Sequence, residues 1–241
     1  MFPLRDNVFR RHFPLVTWLL ICVNVAVYYM ESSMNPDALM QIVDRFAIVP
    51  ARYGHDGSFL GLRLPVSEYL PVLSSMFLHG SWLHVIGNMW FLYLFGASVE
   101  DRMGTPRYFL FYILCGLAAG FIYIYFDLTS TLPSLGASGA IAGVMGAYMV
   151  LFPTARIMTL ILVIIFPFFI ELPALLYIGI WFFYQVLLET MYAAAPGIGG
   201  GLAWWAHIGG FVAGMLLLFL FRTRGFQHRQ PYLDEQHRFL A

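Results

Sequence analysis

Leu135-Gly136-Ala137-Ser138-Gly139-Ala140-Ile141-Ala142-Gly143 is a serine set among small residues at the mouth of an apolar segment, with Pro133 and Ser134 just ahead of it. A serine inside a membrane helix ordinarily satisfies itself on a carbonyl one turn back. Here the glycines strip bulk from around the hydroxyl, and a helix first turn leaves backbone N–H groups free to hold an anion. On these residues alone, a packing role and a chemical role for Ser138 both stay open. The choice depends on whether a base and further donors share its membrane depth.

The 241-residue chain is 60% hydrophobic and only 11% charged, which marks a polytopic membrane protein. Its formal net charge is zero, so there is no electrostatic case for nucleic acid. Cys22 and Cys115 both lie in apolar runs and read as small buried hydrophobes, neither a disulfide nor a metal pair. All 13 basic residues are arginines, which removes serine–lysine and Schiff-base chemistry.

Residues 1–13, with Arg5, Arg10 and Arg11, read as a cytoplasmic N-terminal segment. The apolar run 14–30 is long enough to span and has no small-residue cleavage site after it, so a retained first helix is expected. Asn24 within it is expected to make an interhelical hydrogen bond. A long outer loop covers 31–71. Within it Leu39, Ile42, Val43 and Phe46 recur at helical spacing after Asn35-Pro36-Asp37, the pattern of a short amphipathic surface helix.

Further spans are expected at 72–97, 107–126, 136–152, 172–190 and 203–221. The stretch from Ile157 to Phe169 is apolar too, but short and broken by Pro167, with Pro173 following. It reads as a buried or interfacial lead-in to the fifth span. The expected fold is an all-α membrane protein, a six-helix bundle over 14–221 followed by a cytoplasmic tail, 222–241. Arginine placement puts both termini inside: Arg5, Arg10, Arg11, Arg102, Arg107, Arg156, Arg222 and Arg224 fall on one side, and the short outer loops 127–135 and 191–202 carry none. Arg45, Arg52 and Arg63 lie in the long outer loop, where the rule is weak.

In that topology the second, fourth and sixth spans all enter from outside. His79 stands at the mouth of the second, with His84 and Asn88 deeper; Ser138 lies in the outer part of the fourth; His207 lies in the first turns of the sixth, within Ala206-His207-Ile208-Gly209-Gly210. Polar groups at such depth are costly and mark functional sites. Gly139 and Gly143, and Gly210 and Gly214, form small-xxx-small pairs that let two helices approach closely, which would bring Ser138 within reach of His207. Zinc-peptidase chemistry does not fit, because His79 and His84 are five apart with Gly80 between them. The acids beside apolar runs, read as Glu100, Asp127, Glu171 and Glu189, sit at run ends or breaks and form no matched pair. No metal or cofactor is called for, and a serine–histidine centre is best supported.

The segments His79-Gly80-Ser81-Trp82-Leu83-His84-Val85-Ile86-Gly87-Asn88, Gly136-Ala137-Ser138-Gly139 and Ala206-His207-Ile208-Gly209-Gly210 resemble the rhomboid intramembrane serine proteases, from about residue 3 to 221. The resemblance implies Ser138 as nucleophile and His207 as general base, with no third acidic member. It further implies His84, Asn88 and the Ser138 N–H as the oxyanion site. Glu100 and Arg102 match a structural hydrogen-bonding motif at the cytoplasmic end of the second span. Implied partners are the lipid bilayer and single-pass transmembrane substrates; the implied location is a prokaryotic plasma membrane. Two departures stand out. Leu70-Pro71 replaces the Trp-Arg pair some members carry in the first loop. Ala142 replaces a tyrosine that in some members packs on the histidine ring, which leaves the orientation of His207 unexplained. Two rival classes are a non-catalytic rhomboid-fold binder, which would typically lack the serine or histidine, and a small transporter, which would need polar inner halves.

Overall fold

A computed structural model describes residues 1–54, 66–194 and 204–221. Strand β1 (Phe2–Asp6) is followed by helices α1 (Leu15–Ser32), α2 (Pro36–Phe46), α3 (Trp82–Met103), α4 (Thr105–Phe126) and α5 (Ser138–Leu151). A hairpin of β2 (Arg156–Val163) and β3 (Phe166–Pro173) comes next, then α6 (Ala174–Ala194) and α7 (Trp204–Phe221). Four helices, α1, α3, α4 and α7, are long and apolar enough to cross a membrane; α5 is a shorter apolar helix, and α6 is apolar over Ala174–Leu188. Arg63, most of the 191–202 loop and the 222–241 tail lie outside the described residues.

At the centre stands α5, buried without a break from Gly139 to Tyr148. Its three glycines and three alanines let α4 and α7 close on it. With 14 residues, α5 is about 21 Å long against a hydrocarbon layer of about 30 Å. Four residues link its C-terminal end to the hairpin. The chain ahead of its Ser138 end is tied down by backbone hydrogen bonds. Ser134 and Ile48 exchange backbone bonds of 2.7 and 3.0 Å, and the Gly136 N–H donates to the Ser75 carbonyl at 2.8 Å.

The second span begins later than 72. Residues 70–77 form two short helical turns, and the chain is then extended before Ser81 caps α3, its hydroxyl accepting from the His84 N–H at 3.1 Å. A serine at the cap and Gly80 beside it stop the helix from continuing upstream. Asn35 caps α2 in the same way, and Pro36 occupies its first position, so the amphipathic surface helix forms where its signals lie.

At the other end of the bundle, Glu100 on α3 caps α1. Its carboxylate accepts from the Val16 N–H (2.9 Å), the Thr17 N–H (2.8 Å) and the Thr17 hydroxyl (2.8 Å). Arg102 lies 4.9 Å over the Phe152 ring. A π-helical stretch, Leu92–Gly96, interrupts α3, and the Leu94 carbonyl accepts from Arg10. Asp6 accepts from Arg10 (3.0 Å), Ser98 (3.1 Å) and Tyr148 (2.8 Å), which ties the N-terminal segment to the bundle.

The all-α expectation is therefore corrected by a three-stranded antiparallel sheet, β1-β2-β3, formed by the N-terminal segment and the apolar stretch before α6. Residues 156–173 are dominated by β-branched, leucine and aromatic side chains, which favour strands, and Pro167 is tolerated because β3 is an edge strand. Strand β1 climbs the flank of α3: Asp6 lies beside Ser98, while the Pro3 carbonyl accepts from Trp90, eight residues or about 12 Å further along the helix. The hairpin tip extends past Leu160, the partner of Phe2, and is bare and apolar, with Ile164 89% and Ile165 77% exposed.

Two smaller expectations also change. Cys115 is buried but Cys22 is exposed, because α1 packs along the stripe Val16, Leu20, Asn24 and Tyr28. Asn24 is buried on that stripe, yet its amide donates to the Leu20 carbonyl of its own helix at 2.7 Å and, among the described residues, makes no interhelical bond.

Candidate active site

The Ser138 hydroxyl lies 2.8 Å from His207 Nε2. Two helix starts create this meeting. Ser138 is the first residue of α5, and His207 sits one turn into α7. The glycine seam sets the spacing: a methyl group at Gly210 would stand 2.0 Å from the Gly139 carbonyl oxygen, and one at Gly214 would stand 2.0 Å from that of Gly143. At Gly143 an added methyl would meet Cys115 at 2.6 Å, and at Gly139 it would meet Ala119 at 2.7 Å. No larger residue fits between α4, α5 and α7, so backbone contact fixes the separation of the two side chains.

Around the pair lies a cavity of about 610 Å³, reached by Ser138, His207, His84, Asn88, Trp181 and Gln185. Its floor is Gly136, with φ +124, a conformation glycine adopts without strain. A side chain there would also collide with His84, whose Nε2 is 2.9 Å from the position a methyl would take; Asn88 Nδ2 is 3.5 Å from it. His84 and Asn88 thus aim polar atoms at the same small volume beside Gly136, in the cavity that Ser138 also lines. Ser138 is in the first turn of α5, where backbone N–H groups have no partner within the helix.

His79 is set apart from the reacting pair. It is buried, and its ring Nε2 accepts from Asn88 Nδ2 at 3.0 Å, while its backbone N–H donates to the Glu31 carboxylate at 3.2 Å. Its ring lies 5.0 Å from that of His84, edge to face. His79 therefore orients the Asn88 amide and leaves the second amide hydrogen free to face the cavity. Glu31 is an acid the sequence reading passed over. It stands at the end of α1, buried, and it touches His79, not His207. Glu100 and Arg102 are at the far end of α3, where they contact Val16 and Thr17 and the Phe152 ring.

Three further residues at the site were not anticipated. Gln185, buried on α6, places its Oε1 2.9 Å from His207 Nδ1. The rings of Trp181 and Trp204 flank the imidazole at centroid distances of 6.1 and 6.0 Å. These side chains surround the ring in a site where Ala142 is too small to do so. Gln185 carried a signal, since it is the one amide in the fifth span and intramembrane amides are expensive.

A family model described as Rhomboid domain matches residues 66–224, well over half of the chain. The chain belongs to the rhomboid family. Rhomboid protein 1, mitochondrial, of Saccharomyces cerevisiae is 26% identical over 212 residues, covering 86% of this chain and 54% of the yeast protein. RHOMBOID-like protein 6, mitochondrial, of Arabidopsis thaliana is 26% identical over 239 residues, covering 84% and 68%. Presenilin-associated rhomboid-like protein A, mitochondrial, of Danio rerio is 34% identical over 98 residues, 40% of this chain and 26% of the fish protein. The chain spans about half the length of the yeast relative. It is a multi-pass membrane protein of the rhomboid family, and the Ser138–His207 pair and both neighbouring polar side chains lie on or between segments that the family model covers.

Proposed function

We propose that this rhomboid is an intramembrane serine endopeptidase that hydrolyses peptide bonds in or near the transmembrane segments of single-pass membrane proteins. The observation that carries it is the 2.8 Å separation of Ser138 Oγ and His207 Nε2 at the edge of a cavity that also holds His84 and Asn88. His207 Nε2 takes the hydroxyl proton as Ser138 Oγ bonds to the substrate carbonyl carbon. The carbonyl electron pair moves onto oxygen, where His84, Asn88 and the Ser138 N–H stabilise it, each donor lowering the barrier by roughly 3–4 kcal/mol. The C–N bond then breaks as His207 returns the proton to the leaving amine. A water, deprotonated by the same nitrogen, releases the acyl group and regenerates the serine.

A substrate helix hides its carbonyls in its own hydrogen bonds, so the segment that enters must unwind. That requirement accords with what the family resemblance implies, substrates with small residues at the cut and helix-weakening residues beside it. The site is proposed to face outside, in a six-crossing N-in, C-in bundle over 14–221, and the membrane to be a prokaryotic plasma membrane. The mitochondrial location printed in the relatives' names belongs to those proteins, and fractionation of the native host discriminates the two. The decisive experiment is cleavage of a single-pass test substrate in detergent by wild type, Ser138→Ala and His207→Ala. Cutting by wild type alone is expected. Equal cutting by wild type and Ser138→Ala removes the proposed nucleophile, and a wild type that binds the substrate without cutting it is a non-catalytic holder of membrane clients.

A further inference from the structure

We propose that Gln185 is a positioning residue that holds the His207 imidazole in the one tautomer able to accept the Ser138 proton. The inference rests on the serine-peptidase reading and adds a third member to its pair. The geometry makes the assignment in two steps. An amide oxygen can only accept, so the 2.9 Å contact between Gln185 Oε1 and His207 Nδ1 requires the proton to be on Nδ1. A neutral ring protonated there has a bare Nε2, and that nitrogen is the one 2.8 Å from the Ser138 hydroxyl.

The amide could turn over and present its nitrogen instead, which would invert the tautomer. Its surroundings oppose that. Gln185 Nε2 donates to the Trp181 carbonyl one turn back on α6, at 3.5 Å, so one end of the amide is already committed to a donor role. Neighbouring contacts hold the ring plane: Trp181 and Trp204 stand on two sides of the imidazole, and Phe182 stacks on Phe211 at 4.4 Å between α6 and α7. Gln185 is itself 5% exposed, so little of the side chain faces open solvent.

A glutamine suits this place better than the acid of a soluble serine protease. A carboxylate would have to stay ionised inside the bundle, at a large desolvation cost, before any proton had moved. The neutral amide supplies the acceptor without that burden. It also ties the base to α6, a different helix from those bearing Ser138 and His207. If α6 moves away by an ångström or more, the ring is released and the serine loses its base.

The test uses the full chain in detergent with ring-15N histidine. In wild type the His207 resonances are expected to report a protonated Nδ1 and a bare Nε2. Gln185→Met keeps the length of the side chain and removes the acceptor; it is expected to shift the ring toward the Nε2–H form and to lower kcat about tenfold, the worth of one neutral hydrogen bond, with KM within about twofold. Gln185→Glu, which in this buried place is expected to be the neutral acid and keeps an acceptor carbonyl oxygen, is expected to return the Nδ1–H tautomer and part of kcat. A wild-type ring protonated on Nε2, or a Gln185→Met protein with wild-type kcat, overturns the proposal. Failure of the peptidase reading would look different, because Ser138→Ala would then cut as well as wild type whatever the tautomer.

Discussion

Replacing Gly210 with alanine tests whether backbone contact between α5 and α7 sets the reacting distance. The added methyl would stand 2.0 Å from the Gly139 carbonyl oxygen and 3.3 Å from Ala119 Cβ. Carbon–oxygen contacts ordinarily begin near 3.3 Å, so α7 must retreat by about 1.3 Å. His207 lies three residues earlier on the same helix face and moves with it, which stretches the contact to Ser138 from 2.8 Å to roughly 4 Å, beyond a hydrogen bond. An ångström of misplacement costs on the order of 100-fold in rate, while overpacking costs about 1–3 kcal/mol of stability. Gly179→Ala on α6 is the matched control, because its methyl meets nothing within 4 Å. It should leave kcat unchanged and stabilise the helix by up to about 1 kcal/mol. The assay pairs kcat on a test substrate with thermal unfolding in the same detergent. A folded Gly210→Ala protein with activity within about threefold of wild type would refute the distance argument.

Three further outcomes are expected. Asn88→Ala removes a donor from the cavity that Ser138 lines and should lower kcat about 100-fold with little change in the unfolding midpoint; unchanged turnover would reassign Asn88 to packing. Glu100→Ala removes the acceptor of three hydrogen bonds from Val16 and Thr17 and leaves the buried start of α1 uncapped, so stability should fall by roughly 2–3 kcal/mol, read by thermal unfolding. The hairpin tip, bare and apolar beside a membrane bundle, should sit in lipid: a bromine-free against brominated acyl-chain comparison in vesicles should show that Ile165→Trp adds quenchable emission over the six native tryptophans, and added emission that is unquenched and red-shifted would argue for a tip in solvent.

The residues of the candidate site were legible because the membrane makes polar groups rare. Ser138, His84, Asn88 and His207 stand out against apolar runs, and the small-xxx-small pairs on α5 and α7 announced the close approach that joins two of them. What stayed hidden was second-order geometry. Ala142 told that the usual support for the histidine ring was missing, but not that Gln185 would reach across from another helix. Such a reach depends on helix rotation, which an evenly apolar span such as α6 does not encode. The hairpin was missed for a different reason. In a chain otherwise made of membrane helices, an apolar run reads as helix, and the β-branched and aromatic bias of Ile161 to Phe169 was outweighed by that context. The pairing of β2 with Phe2–Asp6 lies more than 150 residues away in sequence and leaves no local trace.

An active-site-directed fluorophosphonate reports directly on whether Ser138 is activated by His207. Mass spectrometry of the labelled full chain should place the adduct on Ser138 in wild type, find none in Ser138→Ala, and find the labelling rate of His207→Ala reduced by about 100-fold or more. Labelling at a different serine, or an undiminished rate at Ser138 without the imidazole, would contradict a serine made nucleophilic by its neighbour on α7.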